Sequence, residues 1–284
     1  MNHASHSIKS HLTARRLWFV FFGIIAFVII EFLVFLIFPS KSGSGANLIS
    51  GEQTKPTVIS LSTVTIKLDL KPAKSLPEFK PDFSIPPITN GMAPVITHFP
   101  TEQKVVFLTI DDGAYKDQSV VDMIQQNGIR ASLFLAKTFI SGNPDFFKQI
   151  IALGSLVEDH TIGHDTHMVT NQSYQQQKDE ICGMADYELA HYGRRPIFFR
   201  PPGGAYSDTM RRAAADCGMK AVVTWIAKAN GGSMQYQIGD HLRPGDIVLM
   251  HFRPEFKKDM QAFLDAQNAA GLHTELLEDL VSNQ

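Results

Sequence analysis

From Lys104 onward, short apolar runs alternate with amphipathic stretches, and this rhythm restricts the fold more than any other feature. Val105–Ile110 (VVFLTI) reads as a buried strand, Lys116–Asn127 as a helix stopped by Gly128, and Ser132–Ala136 as the next strand. Pro144–Leu153 is helical and closed by Gly154, Ser155–Glu158 is a short strand, and Tyr174–Tyr192 is a long helix ending at Gly193. Ile197–Arg200 and Ala221–Trp225 are strands on either side of a helix over Asp208–Cys217. Ile247–Met250 is the last clear strand, before a helix around Lys257–Ala270. Apolar runs of four to eight residues bounded by turn residues suit strands, and a glycine after a helical stretch supplies its left-handed cap. Strands alternating with helices imply a parallel α/β arrangement, sheet or barrel, with helices outside. About 180 residues suffice for one such core.

In a parallel barrel, reactive groups collect where strands end and loops begin. Asp111 and Asp112 follow the first strand, His160 and His164 follow the short strand near Leu156, and Arg200 and His251 end two others. Two imidazoles four residues apart can face one metal ion, and a carboxylate from another strand end completes a two-histidine, one-carboxylate set. That set suits a hydrolytic zinc site or a non-haem iron site. The spacing alone also fits two surface histidines, and Asp112-Gly113 alone fits a turn. Adjacent acids on a strand point to opposite faces, so one of the two aspartates is free to bind metal while the other takes a proton.

In combination these residues resemble a known family. Thr109-Ile110-Asp111-Asp112-Gly113 resembles the T-F-D-D-G motif of the polysaccharide deacetylases, carbohydrate esterase family four, also called the NodB homology domain. His160–His164 resembles its H-S/T-x-x-H motif, Arg200–Gly204 its R-P-P-Y-G, and Leu249-Met250-His251 its L-x-H, in the same order along the chain. The resemblance covers about residues 104–275. It implies a distorted (β/α) barrel of the polysaccharide deacetylase type that removes N-acetyl, or sometimes O-acetyl, groups from a polysaccharide. It further implies that Asp112, His160 and His164 bind a divalent metal, usually zinc. Asp111 is then the general base, His251 the general acid, and Arg200 the residue that holds Asp111. Pro202, Gly203 and Trp225 are the candidate substrate-binding residues, with Trp225 weighed more towards packing than towards stacking on a sugar.

Two departures qualify the match. The aromatic of R-P-P-Y-G is Gly203 here, which keeps a backbone donor and loses a wall for the sugar. The acid that the family places after the next strand is missing from Val223–Asn230, which has Trp225 and no aspartate. That acid normally supports the histidine acid, and Asp246 is not an evident substitute. Among the remaining polar residues, Asp159 supports His160 or is a turn acid, His167 is an alternative ligand outside the family pattern, Glu158 is a strand-end polar residue, and His191 faces solvent.

The N-terminal part carries a different signal. Leu17–Phe38 is 22 residues long and apolar except for Glu31. At 1.5 Å per residue it spans roughly 33 Å, enough for a bilayer core of about 30 Å. It is longer than the apolar region of a cleaved signal peptide and ends in bulky residues, so a single transmembrane helix is expected ahead of the barrel. Residues 1–16 carry Lys9, Arg15 and Arg16 and no acid, which puts this tail in the cytoplasm and the rest outside a bacterial cell membrane. Residues 39–103 read as a Pro-rich extracellular linker, with one strand around Val64–Leu70, leaving 104–284 as the catalytic domain. The chain has 26 basic and 28 acidic side chains, which excludes the basic excess of a nucleic-acid binder. The partners implied are a polysaccharide and a membrane crossed once, with no protein partner.

Two cysteines are too few for a disulfide scaffold. Once exported, Cys182 and Cys217, on helices flanking the Arg200 strand, are expected to pair. Three functions stay open at this point: a metal-dependent deacetylase of a cell-envelope polysaccharide, a catalytically weak or inactive glycan-binding homologue, and an iron oxygenase. The α/β alternation argues against the last.

Overall fold

The structure is a computed structural model that describes residues 78–282. Every described residue belongs to one unit of the chain, 72–284. The expected cytoplasmic tail, the apolar span 17–38 and the strand around Val64–Leu70 lie outside the described residues. Among the described residues no helix is long and apolar enough to cross a membrane.

The elements in chain order are β1 (Val95–Ile96), β2 (Val105–Asp112), α1 (Gln118–Gln126), β3 (Ser132–Leu135), α2 (Lys137–Ile140), α3 (Asp145–Ala152), β4 (Leu156–Asp159), α4 (Met168–Asn171), α5 (Tyr174–Tyr192), β5 (Phe198–Phe199), α6 (Asp208–Asp216), β6 (Ala221–Val223), β7 (Ala227–Asn230), β8 (Ser233–Tyr236), β9 (Ile247–His251), α7 (Phe256–Ala270) and β10 (His273–Glu275). They form one sheet in the order β1-β6-β5-β4-β3-β2-β9-β7-β8, with β10 pairing the start of β2. All strand pairs are parallel except β7 with β8.

Chain connectivity forces this sheet to curl. β6 and β7 lie six strand steps apart in the sheet, roughly 29 Å if it were flat. Only residues 224–226 join them, and four Cα steps span at most about 15 Å. The sheet therefore bends into a half-barrel, which is the expected distorted (β/α) barrel left open, since among the described residues no pairing joins its end strands.

Strand alternation sorts the side chains. On β2, Val106, Leu108 and Ile110 pack outward under the helices with Ile124, Phe147 and Phe263, while Val105 and Phe107 pack inward with Phe134, Phe198 and Ile247. Thr109 and Asp111 continue the inward row. The long helix α5 has the bounds its sequence implies, because Ser173 and Gln176 form a capping box and Gly193 closes the other end at φ 74°. Cys182 on α5 is disulfide-bonded to Cys217 at the end of α6.

The linker range 39–103 needs correction at its C-terminal end. Residues 78–103 belong to the domain: β1 pairs with β6, Phe99 is fully buried against Phe83 and Phe107, and the Asp82 and Phe83 N–H groups donate to Leu280 O. Prolines forbid a helix there, but an extended chain with apolar residues at intervals still covers the barrel end. β5 is shorter than expected because the Glu158 carboxylate accepts the Ile197 and Phe198 N–H groups in place of a strand partner. β6 ends at Val223, where the chain leaves for β7, and the β7–β8 hairpin has no counterpart in the sequence reading.

Candidate active site

The end of β2 brings two carboxylates to one place. Asp111 points inward by alternation. Asp112 has a left-handed backbone, φ 77°, and this turns its side chain back to the same mouth. His160 Nε2 is 3.7 Å from Asp111 Oδ2 and 3.5 Å from Asp112 Oδ1. The two acids therefore share a site and do not point to opposed faces as expected for an unbroken strand. Gly113 follows at φ 83°, where a Cβ would lie 2.5 Å from Ile140 Cγ2, so only glycine fits this turn.

The histidine loop after β4 is held in strained geometry. Asp159 Oδ1 accepts the Thr161 N–H at 2.9 Å, and Thr161 Oγ1 accepts the His164 N–H at 3.0 Å. Thr161 and His164 have φ of 73° and 56°. Such conformations cost about 1–3 kcal/mol each and persist only where neighbours enforce them. Lys137 N–H and Thr138 N–H, donating to Thr161 O and Ile162 O, add to that enforcement.

His160 Nδ1 lies 2.7 Å from Arg200 O. A carbonyl only accepts, so Nδ1 carries the hydrogen and Nε2 presents its lone pair to Asp112. His164 Nε2 is 3.0 Å from Asp112 Oδ1. One ligand atom each from Asp112, His160 and His164 fall within 4.8 Å of one another. Asp112 Oδ1 is buried and receives no well-directed hydrogen bond. Burial pushes the Asp112 carboxyl up, but His160, His164 and His251, when they carry a proton facing it, outweigh that and hold it well below the usual carboxylate range. An ionised oxygen and two ring nitrogens converging without a directed N–H between them is an arrangement that a cation relieves, and the donor set suits a divalent transition ion.

Arg200 sits behind Asp111, out of solvent. Its Nη1 donates to Asp111 Oδ1 at 2.6 Å and to Thr109 Oγ1 at 2.7 Å, and Nε and Nη2 donate to Val223 O and Thr224 O at 3.2 Å each. The guanidinium lies 4.1 Å from the centre of the Phe134 ring and 5.7 Å from that of Trp225. Gly203 and Gly204 then turn the chain at φ 72° and 81°. A Cβ on Gly204 would come within 2.6 Å of Trp225 Cη2. Trp225 thus packs on this turn and also lines the cleft, on the side where Gly203 offers no aromatic. Pro202 is buried in the turn and is not among the residues that line this cleft.

His251 ends β9 directly opposite Asp111. Its Nδ1 is buried without a hydrogen-bond partner, as the missing acid near Trp225 implies. Burial lowers the His251 pKa below its ordinary value, with Asp111 and Asp112 pulling the other way. Asp246 does not help, because it is taken up by the Arg243 backbone and side chain. One cleft gathers Asp111, Asp112, His160, His164 and His251, walled by Thr166, Gly203, Trp225, Leu249 and Lys228.

The other polar residues fall outside this cleft. His167 is exposed and close to Asp165, away from the three ligand candidates. Asp159 is buried and shapes the histidine loop, while Glu158 is buried against Arg194 and the β5 backbone. His191 lies against the Tyr187 ring. Three residues of the site had no role in the sequence reading: Thr109, which follows from β2 alternation, Thr166, just beyond the histidine motif, and Lys228, hidden because the β7–β8 hairpin was not recognised.

The polysaccharide deacetylase family matches residues 98–222. An uncharacterised protein of Streptomyces coelicolor is 38% identical over 159 residues, which are 55% of this chain and 63% of that protein. The chain thus spans just under two thirds of that relative's length. The peptidoglycan-N-acetylglucosamine deacetylase of Bacillus cereus is 28% identical over 162 residues, 54% of this chain and 74% of that one. A CE4 family pseudoenzyme of Bacillus anthracis shares the fold, with a TM-score of 0.56 at 19% identity over 66% of this chain and 68% of its own. Asp111, Asp112, His160 and His164, which converge in one cleft at the barrel mouth, all lie within the 98–222 segment that matches the polysaccharide deacetylase family.

Proposed function

We propose that the protein is a metal-dependent deacetylase that hydrolyses N-acetyl groups, with O-acetyl groups as a second substrate type, on a cell-envelope polysaccharide such as peptidoglycan or a chitin-like polymer. The observation that carries this reading is the convergence of Asp112, His160 and His164 with the Arg200-bound Asp111 and with His251 in one cleft. The Bacillus cereus relative, named a peptidoglycan-N-acetylglucosamine deacetylase, supports the substrate class.

Asp112, His160 and His164 are the residues that would hold the ion, zinc by the resemblance, which supplies polarisation of the acetyl carbonyl and acidification of a water. Asp111 accepts a proton from the attacking water, and Arg200, bound to its carboxylate, keeps it aimed. The Arg200–His160 hydrogen bond, through Arg200 O, fixes the His160 ring. His251, across the cleft, donates a proton to the leaving nitrogen as the C–N bond breaks, giving acetate and an amine. Trp225 and the Gly203 turn wall the entrance. The apolar span Leu17–Phe38 and its basic flank support anchoring at the cell membrane, with the N-terminus cytoplasmic and the domain outside.

Acetate release from peptidoglycan, chitooligosaccharide and acetylxylan tests the reading. Release that a chelator abolishes and zinc restores is expected, and full activity in Asp111→Asn would sink it. The unpartnered Nδ1 of His251 favours a second reading, a glycan-binding homologue with weak turnover. It predicts saccharide binding without acetate release at any pH or metal tried.

A further inference from the structure

We propose that Lys228 selects a saccharide that carries a carboxylate, holding that group at the mouth of the cleft while an acetylated position is presented to Asp111 and His251. The proposal rests on the deacetylase reading and names its substrate class.

Register places the side chain. Lys228 on β7 is opposite Leu249 on β9, and Leu249 is opposite Thr109 on β2. Residues in one row across a parallel sheet share a face, and Thr109 faces inward to Arg200. The flanking Ala227 and Ala229 pack outward under the helices, so Lys228 faces inward between them. Asp111 and His251 form the row one step further along the same strands. Lys228 lines the cleft together with Trp225 and His251.

The charge it brings is uncompensated. Among the described residues Lys228 makes no hydrogen bond or ion pair, although it is only partly exposed. The acids nearest in the cleft are engaged elsewhere: Asp111 by Arg200, and Asp112 by the two imidazoles. A partly buried, unpaired cation is costly in a folded protein unless a ligand pairs with it. The segment in which the family resemblance leads one to expect an acid offers an ammonium instead, so the sign of charge at this wall is reversed. An anion is the complement, and on a cell-envelope polysaccharide such as peptidoglycan a carboxylate can sit directly beside an acetylated position, borne by a lactyl ether or by a neighbouring uronic acid. An ion-paired hydrogen bond of this kind is among the stronger contacts a sugar can make.

The test uses the full chain with zinc added and two acidic probes. Peptide-free peptidoglycan strands carry lactyl carboxylates, and heparosan oligosaccharides carry uronic acids. Each is compared with its carboxyl-reduced counterpart by calorimetric Kd and by kcat/KM for acetate release. The expected result is a preference of about tenfold for at least one acidic probe over its reduced form, seen in Kd and KM. The pair that shows it identifies the source of the carboxylate. Lys228→Gln and Lys228→Met should bring the ratio close to one, Lys228→Glu should invert it, and Lys228→Arg should retain it. A ratio near one for both pairs in the parent chain, or an unchanged ratio in Lys228→Gln, overturns the proposal. It is equally overturned if Lys228→Gln weakens only inhibition by product acetate. Absence of acetate release from every probe would defeat the deacetylase reading, while the calorimetric ratios would still decide the role of Lys228.

Discussion

The Arg200 guanidinium meets the Asp111 carboxylate at 2.6 Å in a position closed to solvent on both sides of the pair. Removing one partner of such a pair leaves an uncompensated buried charge. Arg200→Met should therefore lower stability by about 3–5 kcal/mol, read as a shift in urea midpoint. In an Asp111→Asn background the same change should cost at least about 1 kcal/mol less, because the charge it strands is gone. Equal costs in the two backgrounds would show that the pair carries no coupling. Arg200→Lys keeps the charge but not the fork that also reaches Thr109, Val223 and Thr224, so it should not restore full stability.

The three converging ligand atoms make a binding prediction that does not depend on turnover. Calorimetry should find one zinc ion per chain. Zinc at a hundredfold its Kd should add about 2.7 kcal/mol of stability. Asp112→Asn and His164→Ala should weaken binding at least tenfold, while His167→Ala, in an exposed side chain outside the cluster, should leave it unchanged. Undiminished affinity in Asp112→Asn would move the ion elsewhere.

His251 must be protonated to act as an acid. Burial lowers its pKa, so the protonated fraction is lost at a lower pH than for an ordinary histidine at 6.5. The sign follows: kcat/KM should fall as pH rises, by about tenfold per unit above that pKa, with the descent starting below about pH 6.5. His251→Ala should abolish this limb and lose about 10²–10⁴-fold in rate. A basic limb well above pH 7 would assign the proton to another group.

The 35-residue separation of Cys182 and Cys217 sets the size of the disulfide's effect. In the chain-entropy model, a loop of that length corresponds to about 4 kcal/mol. Cys182→Ala with Cys217→Ala should lower the urea midpoint accordingly and leave the zinc stoichiometry intact. Two free thiols in the unreduced, denatured protein would contradict the bond.

The residues that meet in the cleft were legible because β2, β4, β5 and β9 lead into short motifs that all open at the same end of the sheet. Bounds also followed where local chemistry sets them, as with Ser173 and Gly193 around α5. Three things depended on tertiary context. The left-handed turn at Asp112 reversed a strand-alternation argument that is sound for an unbroken strand. Residues 78–103 look like a tether because prolines exclude helix, and only pairing of β1 with β6 reveals their place in the sheet. Lys228 became visible once the register with Leu249 was known, since a polar Ala-Lys-Ala-Asn run gives no apolar alternation to read.

Glu188 on α5 carries the last prediction. It is fully buried and neither carboxylate oxygen has a hydrogen-bond partner. Burial, with Asp159 and Glu158 nearby, raises its pKa well above the ordinary value near 4.5, and Arg194 offsets this only in part. The folded protein therefore holds a proton that the unfolded chain releases. By linkage, stability falls as pH rises from the unfolded pKa towards the folded one, with a slope of up to about 1.4 kcal/mol per pH unit for one such group. Glu188→Gln removes that term while keeping the side-chain shape. Its stability relative to the parent chain should improve steadily between about pH 4.5 and pH 7, measured by urea melts at each pH. A difference that stays constant across this range would mean that Glu188 is ionised in the fold after all.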